Sequence, residues 1–136
     1  MVRWLLANKD CNFATFNITT LKQYNHQLKN ISILGSTGSI GTQALEVVRA
    51  NPSLYKVDVL TAQNNATLLI QQALEFKPEM VVITCEDHFV TVKNALPNVN
   101  VLCGEEALIA AVELPQTQFV LTAIMCSVGL RPTVAA

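Results

Sequence analysis

Charge is scarce in this chain. Only 14% of its 136 residues are Asp, Glu, Lys or Arg, 51% are apolar, and the formal net charge is -1. A disordered chain has the reverse balance, so disorder is excluded for most of the length. Without an excess of positive charge, nothing draws the chain to bulk nucleic acid or to an anionic membrane surface. Long apolar runs are also missing. Phe119–Leu130, the longest uncharged apolar stretch near the end, has 12 residues, against the roughly 18 that a membrane-spanning helix needs. The chain therefore reads as soluble. Cysteine is sparse: Cys11, Cys85, Cys103 and Cys126 are the only four, and none stand at C-x-x-C spacing. A core this apolar needs no disulfide staples, and reduced thiols in a cytosol-like compartment are the expectation. A chain of this length makes one domain of ordinary size and buries about two-thirds of its unfolded surface.

Glycine and proline are absent from residues 1–28. Asn12, Asn17, Asn25, Thr15, Thr19, Thr20, Gln23 and Gln27 crowd this segment, and Arg3, Lys9 and Lys22 outnumber Asp10. No helical or strand period is sustained. A secretory signal needs an apolar core of about 7–15 residues, and Trp4–Ala7 is shorter. A transit peptide, basic, acid-poor and hydroxyl-rich, fits in part only. The segment is read as a poorly ordered leader, an upstream extension of the domain that follows.

From Lys29 the pattern becomes regular. Asn30–Leu34 is a short apolar run with β-branched residues, ended by glycine, and reads as a buried strand. Ser39–Arg49 carries Ile40, Ala44, Leu45, Val47 and Val48 at helical spacing before Asn51-Pro52 stops it. Strands follow at Lys56–Thr61, Glu79–Thr84, Asn98–Leu102 and Gln118–Met125. They alternate with helices at Thr67–Phe76, Asp87–Leu96 and Glu105–Leu114, each closed near a proline. Five strands alternating with helices predict right-handed crossovers and a parallel sheet covered on both faces. The near-continuous apolar strands are what two-sided burial requires. The expectation is an α/β, Rossmann-like, doubly wound sheet over residues 29–136.

The first strand runs into Gly35-Ser36-Thr37-Gly38-Ser39-Ile40-Gly41, which opens the first helix. A glycine-rich strand-to-helix turn admits a ligand close to the backbone. It also aims N–H groups and the positive end of the helix dipole at an anion, which suits a dinucleotide pyrophosphate. A tight packing turn is the structural alternative. An NAD site usually carries an acid about 20 residues on, for the ribose 2′-hydroxyl. Here that position reads Thr61-Ala62-Gln63-Asn64-Asn65. Without an acid a 2′-phosphate is not repelled, so NADP is permitted. Asn64 and Asn65 can equally make a turn and cap the next helix. Cys85, Cys103 and Cys126 fall at the ends of strands three, four and five, where small core cysteine is the ordinary role. His88 reads as a surface residue, and Glu105-Glu106 as acids favouring a helix N-terminus.

These residues resemble a known family. Ile33–Gly41, then Leu45-Glu46-Val47-Val48-Arg49 and Asn51-Pro52, is similar to the opening of the 1-deoxy-D-xylulose 5-phosphate reductoisomerases. Leu74-Glu75-Phe76-Lys77-Pro78 and Gly129-Leu130-Arg131-Pro132-Thr133 continue the resemblance in order. It implies an NADPH-dependent enzyme of non-mevalonate isoprenoid synthesis. That enzyme rearranges and reduces a sugar phosphate to 2-C-methyl-D-erythritol 4-phosphate, with Mg²⁺, Mn²⁺ or Co²⁺ holding substrate oxygens. The resemblance assigns Thr37, Gly38, Ser39 and Ile40 to the cofactor phosphates. It assigns Gln63, Asn64 and Asn65 to the adenosine ribose and its 2′-phosphate, and brings Ala123 near the nicotinamide. Two departures stand out: Gln63-Asn64-Asn65 lacks a basic residue, and Cys126-Ser127-Val128-Gly129 is bulkier than the family's small-residue turn. The resemblance further implies that the metal ligands and catalytic residues lie beyond Ala136. The chain is then the NADPH-binding part of a cytoplasmic, homodimeric enzyme, its sheet incomplete at the C-terminus, with no catalytic or metal residue of its own. Another NADP-dependent Rossmann reductase of semialdehyde-dehydrogenase type, or a non-catalytic remnant, are the alternatives.

Overall fold

A computed structural model describes residues 3–6, by their backbone, and residues 28–124. In chain order the elements are β1 (Arg3–Leu6), β2 (Lys29–Leu34), α1 (Ser39–Ala50), β3 (Tyr55–Ala62), α2 (Ala66–Phe76) and β4 (Met80–Ile83). A 3₁₀ turn (Glu86–His88), α3 (Phe89–Ala95), β5 (Asn100–Cys103), α4 (Glu105–Val112) and β6 (Phe119–Thr122) complete them. All strand pairs are parallel, and the sheet order is β1-β6-β2-β3-β4-β5.

The apolar runs make central strands because both faces are covered. Every residue of Met80–Ile83 is buried. On one face Ile33, Val57, Leu60, Val81 and Ile83 pack with Ala44, Leu45 and Val48 of α1, Leu69 and Ala73 of α2, and Val92 of α3. On the other, Val59, Met80 and Val82 meet Leu108 and Ala111 of α4, and Leu34 and Val120 meet Val112. Helices on both faces of a parallel sheet are the doubly wound arrangement expected from the alternation.

Helix ends follow local chemistry. The Asn51 side chain donates to the Val47 carbonyl at 2.9 Å, ending α1 ahead of Pro52. The Asn65 Oδ1 accepts the Leu68 N–H at 3.1 Å and starts α2, which closes at Lys77 with φ of 50° ahead of Pro78. The single helix expected over Asp87–Leu96 is instead a 3₁₀ turn followed by α3. It begins with the His88 N–H bonded back to the Cys85 carbonyl at 3.3 Å.

Two features depart from the sequence reading. All five strands expected over residues 29–136 are present, and a sixth, Arg3–Leu6, within the segment read as a leader, pairs in register with Phe119–Thr122. The second is a bulge. Ile31 stands opposite Val57 and Ser32 opposite Val59, so Asp58 is an extra residue in β3. Its side chain is fully buried, and neither carboxylate oxygen has a hydrogen-bond partner. The Lys56 ammonium lies 3.4 Å from it and also reaches Glu79 at 3.0 Å. Burial pushes the Asp58 carboxyl above the ordinary aspartate range, and the attraction of Lys56 offsets only part of that.

Candidate functional site

From β2 the chain winds outward through β3, β4 and β5, then returns over the opposite face through α4 to β6. The order therefore reverses between β2 and β6, and in open α/β sheets ligands bind at the carboxyl ends of strands at such a point. A cavity of about 330 Å³ opens there, lined by Gly35, Thr37 and Gly38, by Thr61–Gln63, by Thr84 and Leu108, and by Ala123 and Ile124. That volume lies at the small end of ligand pockets. Among the described residues no charged side chain lines it.

The glycine turn forms its floor. Gly35 has φ of +81°, and a Cβ there would stand 2.8 Å from the Ala123 carbonyl oxygen. Only glycine lets the strand end turn beneath the return strand. A Cβ on Gly41 would overlap the Gly35 carbonyl and stand 2.6 Å from the Ser36 Cα, so Gly41 presses α1 onto the turn. Gly38 differs. Its φ is -76°, and the nearest atom to a Cβ there would be the Gly35 oxygen at 3.5 Å. Neither conformation nor crowding by the described residues requires glycine at this position; its bare Cα opens onto the cavity.

Gly38 is also the N-cap of α1. Among the described residues no side chain caps the helix, and no acid stands in its first turn. The opening amides of a 12-residue helix thus keep their donors, and its dipole its positive end, toward the cavity. The strand ends are tied together beneath. The Gly35 N–H donates to Thr61 Oγ1 at 2.9 Å, and the Ala123 N–H to the Leu34 carbonyl at 2.8 Å.

Of the residues singled out in the sequence, Thr37, Gly38 and Gln63 line the cavity. Ser39 and Ile40 form the first turn of α1 beside it. Asn64 and Asn65 follow Gln63 at the surface, outside the lining, and Asn65 spends its carbonyl oxygen on capping α2. Ala123 lines the cavity, whereas Cys126–Gly129 lie outside the described residues. Cys85 and Cys103 are half-buried near the same sheet edge but not in the lining, and burial pushes the Cys103 thiol upward. Sequence reasoning did not assign Thr61, Ala62, Thr84, Leu108 or Ile124 to the site. Their positions at or just past strand ends were the available signal for all but Leu108. Among the described residues no three His, Cys, Asp or Glu side chains gather as a metal site, and no helix is long and apolar enough to cross a membrane.

Comparison with known proteins points one way. The family profile described as 1-deoxy-D-xylulose 5-phosphate reductoisomerase matches residues 31–136. The reductoisomerase of Porphyromonas gingivalis is 48% identical over 110 residues, covering 79% of this chain and 29% of the relative. That of Bacteroides fragilis is 50% identical over 110 residues, covering 79% and 28%. The chain thus spans less than a third of the length of these relatives. Among solved structures, the Zymomonas mobilis reductoisomerase in complex with NADPH superposes with a TM-score of 0.77 at 31% identity. It covers 81% of this chain and 29% of that one. A reductoisomerase in complex with NADPH, fosmidomycin and magnesium gives a TM-score of 0.75 at 29% identity over 79% of this chain and 27% of that one. The glycine turn, the doubly wound sheet and the matched span together show that the chain belongs to the 1-deoxy-D-xylulose 5-phosphate reductoisomerase family.

Proposed function

We propose that the cavity binds NADPH and that the chain is the cofactor-binding part of a reductoisomerase. The observation that carries this reading is Gly38. The described residues leave room for a Cβ there, and in this reading its bareness serves what enters the cavity. The pyrophosphate lies against Thr37, Gly38 and the opening amides of Ser39 and Ile40. Gln63, Asn64 and Asn65 hold the adenosine ribose with its 2′-phosphate, and Ala123 borders the nicotinamide. Two arguments favour a 2′-phosphate over a 2′-hydroxyl: no acid follows β3, and the exposed amides can donate to an anion. NADPH supplies hydride when bound. The chain's own part is to grip the anion with backbone donors and to fix the nicotinamide at the end of β6.

In the whole enzyme this unit serves conversion of 1-deoxy-D-xylulose 5-phosphate to 2-C-methyl-D-erythritol 4-phosphate, with Mg²⁺, Mn²⁺ or Co²⁺ held by residues outside this chain. The enzyme is cytoplasmic and homodimeric in this reading, and residues 29–136 are its NADPH domain. The chain alone turns over no sugar phosphate.

The test is calorimetric titration of the full chain with NADPH, for wild type and Gly38→Val, with circular dichroism as the control for folding. The wild type binds. The folded variant, with a branched side chain over the phosphates, does not. Equal affinity in the two proteins would overturn the assignment.

A further inference from the structure

We infer that Gln72, on α2, is a positioning residue that holds the cofactor turn in its anion-receiving shape; this rests on the NADPH reading above. Gln72 is 5% exposed, whereas its neighbour Gln71 is exposed. Both ends of the Gln72 amide are used on one residue. Its Nε2 donates to the Ser36 carbonyl at 3.0 Å, and its Oε1 accepts from Ser36 Oγ at 2.7 Å. Ser36 is fully buried, and its N–H donates to the Thr61 carbonyl at 2.8 Å. A residue in the middle of a surface turn is thereby anchored from two directions, by the end of β3 and by the body of α2.

The consequence lies in the next peptide plane. In a trans peptide the carbonyl of one residue and the N–H of the following residue point to opposite sides. The Ser36 carbonyl is held inward on Gln72, so the Thr37 N–H points away from α2, and Thr37 lines the cavity. A flip of this plane would aim a carbonyl oxygen at the same space and repel an anion. Gln72 touches no ligand; it selects which end of the Ser36–Thr37 peptide the ligand meets. An apolar side chain of equal length would instead leave the buried Ser36 carbonyl without a partner and its hydroxyl with only the Thr61 carbonyl, 3.2 Å away, and the plane would lose its preference.

The experiment uses the full 136-residue chain as wild type, Gln72→Met and Ser36→Ala. Affinities for NADPH and NADH are measured by calorimetry. Amide hydrogen exchange is followed at Ser36, with Val81 and Val82 of β4 as the reference for global opening. In Gln72→Met both dissociation constants rise by roughly three- to tenfold, while their ratio stays at the wild-type value, because the pyrophosphate is common to both nucleotides. The Ser36 amide exchanges faster and the β4 amides do not. Ser36→Ala keeps the Gln72 donation to the carbonyl and shows a smaller effect of the same kind; it carries the test should Gln72→Met fail to fold. Unchanged affinities in a folded variant would overturn the inference. So would exchange that accelerates equally at Ser36 and β4, which marks plain loss of stability. If the wild type binds neither nucleotide, the NADPH reading falls, and selective exchange at Ser36 still decides whether Gln72 orders the turn.

Discussion

Gly35, Gly38 and Gly41 stand three residues apart, yet a methyl group on each would meet different surroundings. At Gly41 it would strike the Gly35 carbonyl and the Ser36 backbone, so α1 must back away from the turn. Gly41→Ala should therefore destabilise the fold by roughly 1–3 kcal/mol, read as a lower urea midpoint. Among the described residues, Gly38→Ala meets nothing closer than 3.5 Å. It should leave the midpoint nearly unmoved and weaken NADPH, a split that plain packing damage would not produce. Residue 64 governs cofactor choice in the same reading. Asn64→Asp sets a carboxylate against the 2′-phosphate and should reverse the preference toward NAD. Asn64→Lys should raise the NADP to NAD affinity ratio, by an amount that shrinks with salt because exposed charges are screened beyond about 10 Å at 0.1 M. A hydrogen bond to a charged group contributes about 1.5–3 kcal/mol, so titrations at two salt concentrations resolve the change. A ratio that ignores the charge at this position would show that the loop does not read the phosphate. The glycine turn was legible because its geometry is written in residue type and order: Gly35 has a positive φ and Gly41 has no room for a Cβ. Gln72 was not, because Gln71-Gln72 is an ordinary helical pair until the rotation of α2 turns one of them inward.

Elements with one strong physical cause were legible nearly to the residue. Met80–Ile83 is apolar because it is sealed on both faces, and α2 is bounded by Asn65 and Pro78. The helix expected over Asp87–Leu96 carried a weaker apolar pattern and is broken at its start by the 3₁₀ turn. The bulge in β3 was invisible: one Asp among Val57, Val59 and Leu60 reads as a polar member of a strand, not as an inserted residue. Its buried carboxyl makes a pH prediction. In the unfolded chain Asp58 titrates near the ordinary aspartate value, and in the folded protein higher. The folded state then holds the proton more tightly, so stability falls as pH rises from the ordinary aspartate range through the folded value. Asp58→Val removes that dependence. It should stabilise the protein by roughly 1–3 kcal/mol at pH 7, with a gain that shrinks as pH approaches the aspartate range. Urea midpoints of variant and wild type at both ends of that range check the sign.

At the scale of the whole molecule, β1 was missed because Trp4–Ala7 is a short apolar run inside a polar segment, and only pairing across the sheet makes it a strand. It covers the outer edge of β6, the strand that borders the cavity through Ala123. Deleting residues 1–6 should expose that edge, speed amide exchange over Phe119–Thr122 more than over Met80–Ile83, and raise the tendency to aggregate, as unpaired edges do. Equal exchange with and without the segment would show that the pairing contributes nothing in solution. The full chain incubated with the sugar phosphate, NADPH and Mg²⁺ should show no turnover above background. The sheet order also fixes a sequence of events in time. Arg3 pairs with Phe119, and β6 lies between β1 and β2. On a ribosome, β2 to β5 can assemble as they emerge, whereas β1, made before them, must wait for β6 before its neighbour exists. So distant a pairing is slow to form. Of the described strands β1 is made before the others and finds its neighbour only after all of them, and until then it is open to whatever meets it first.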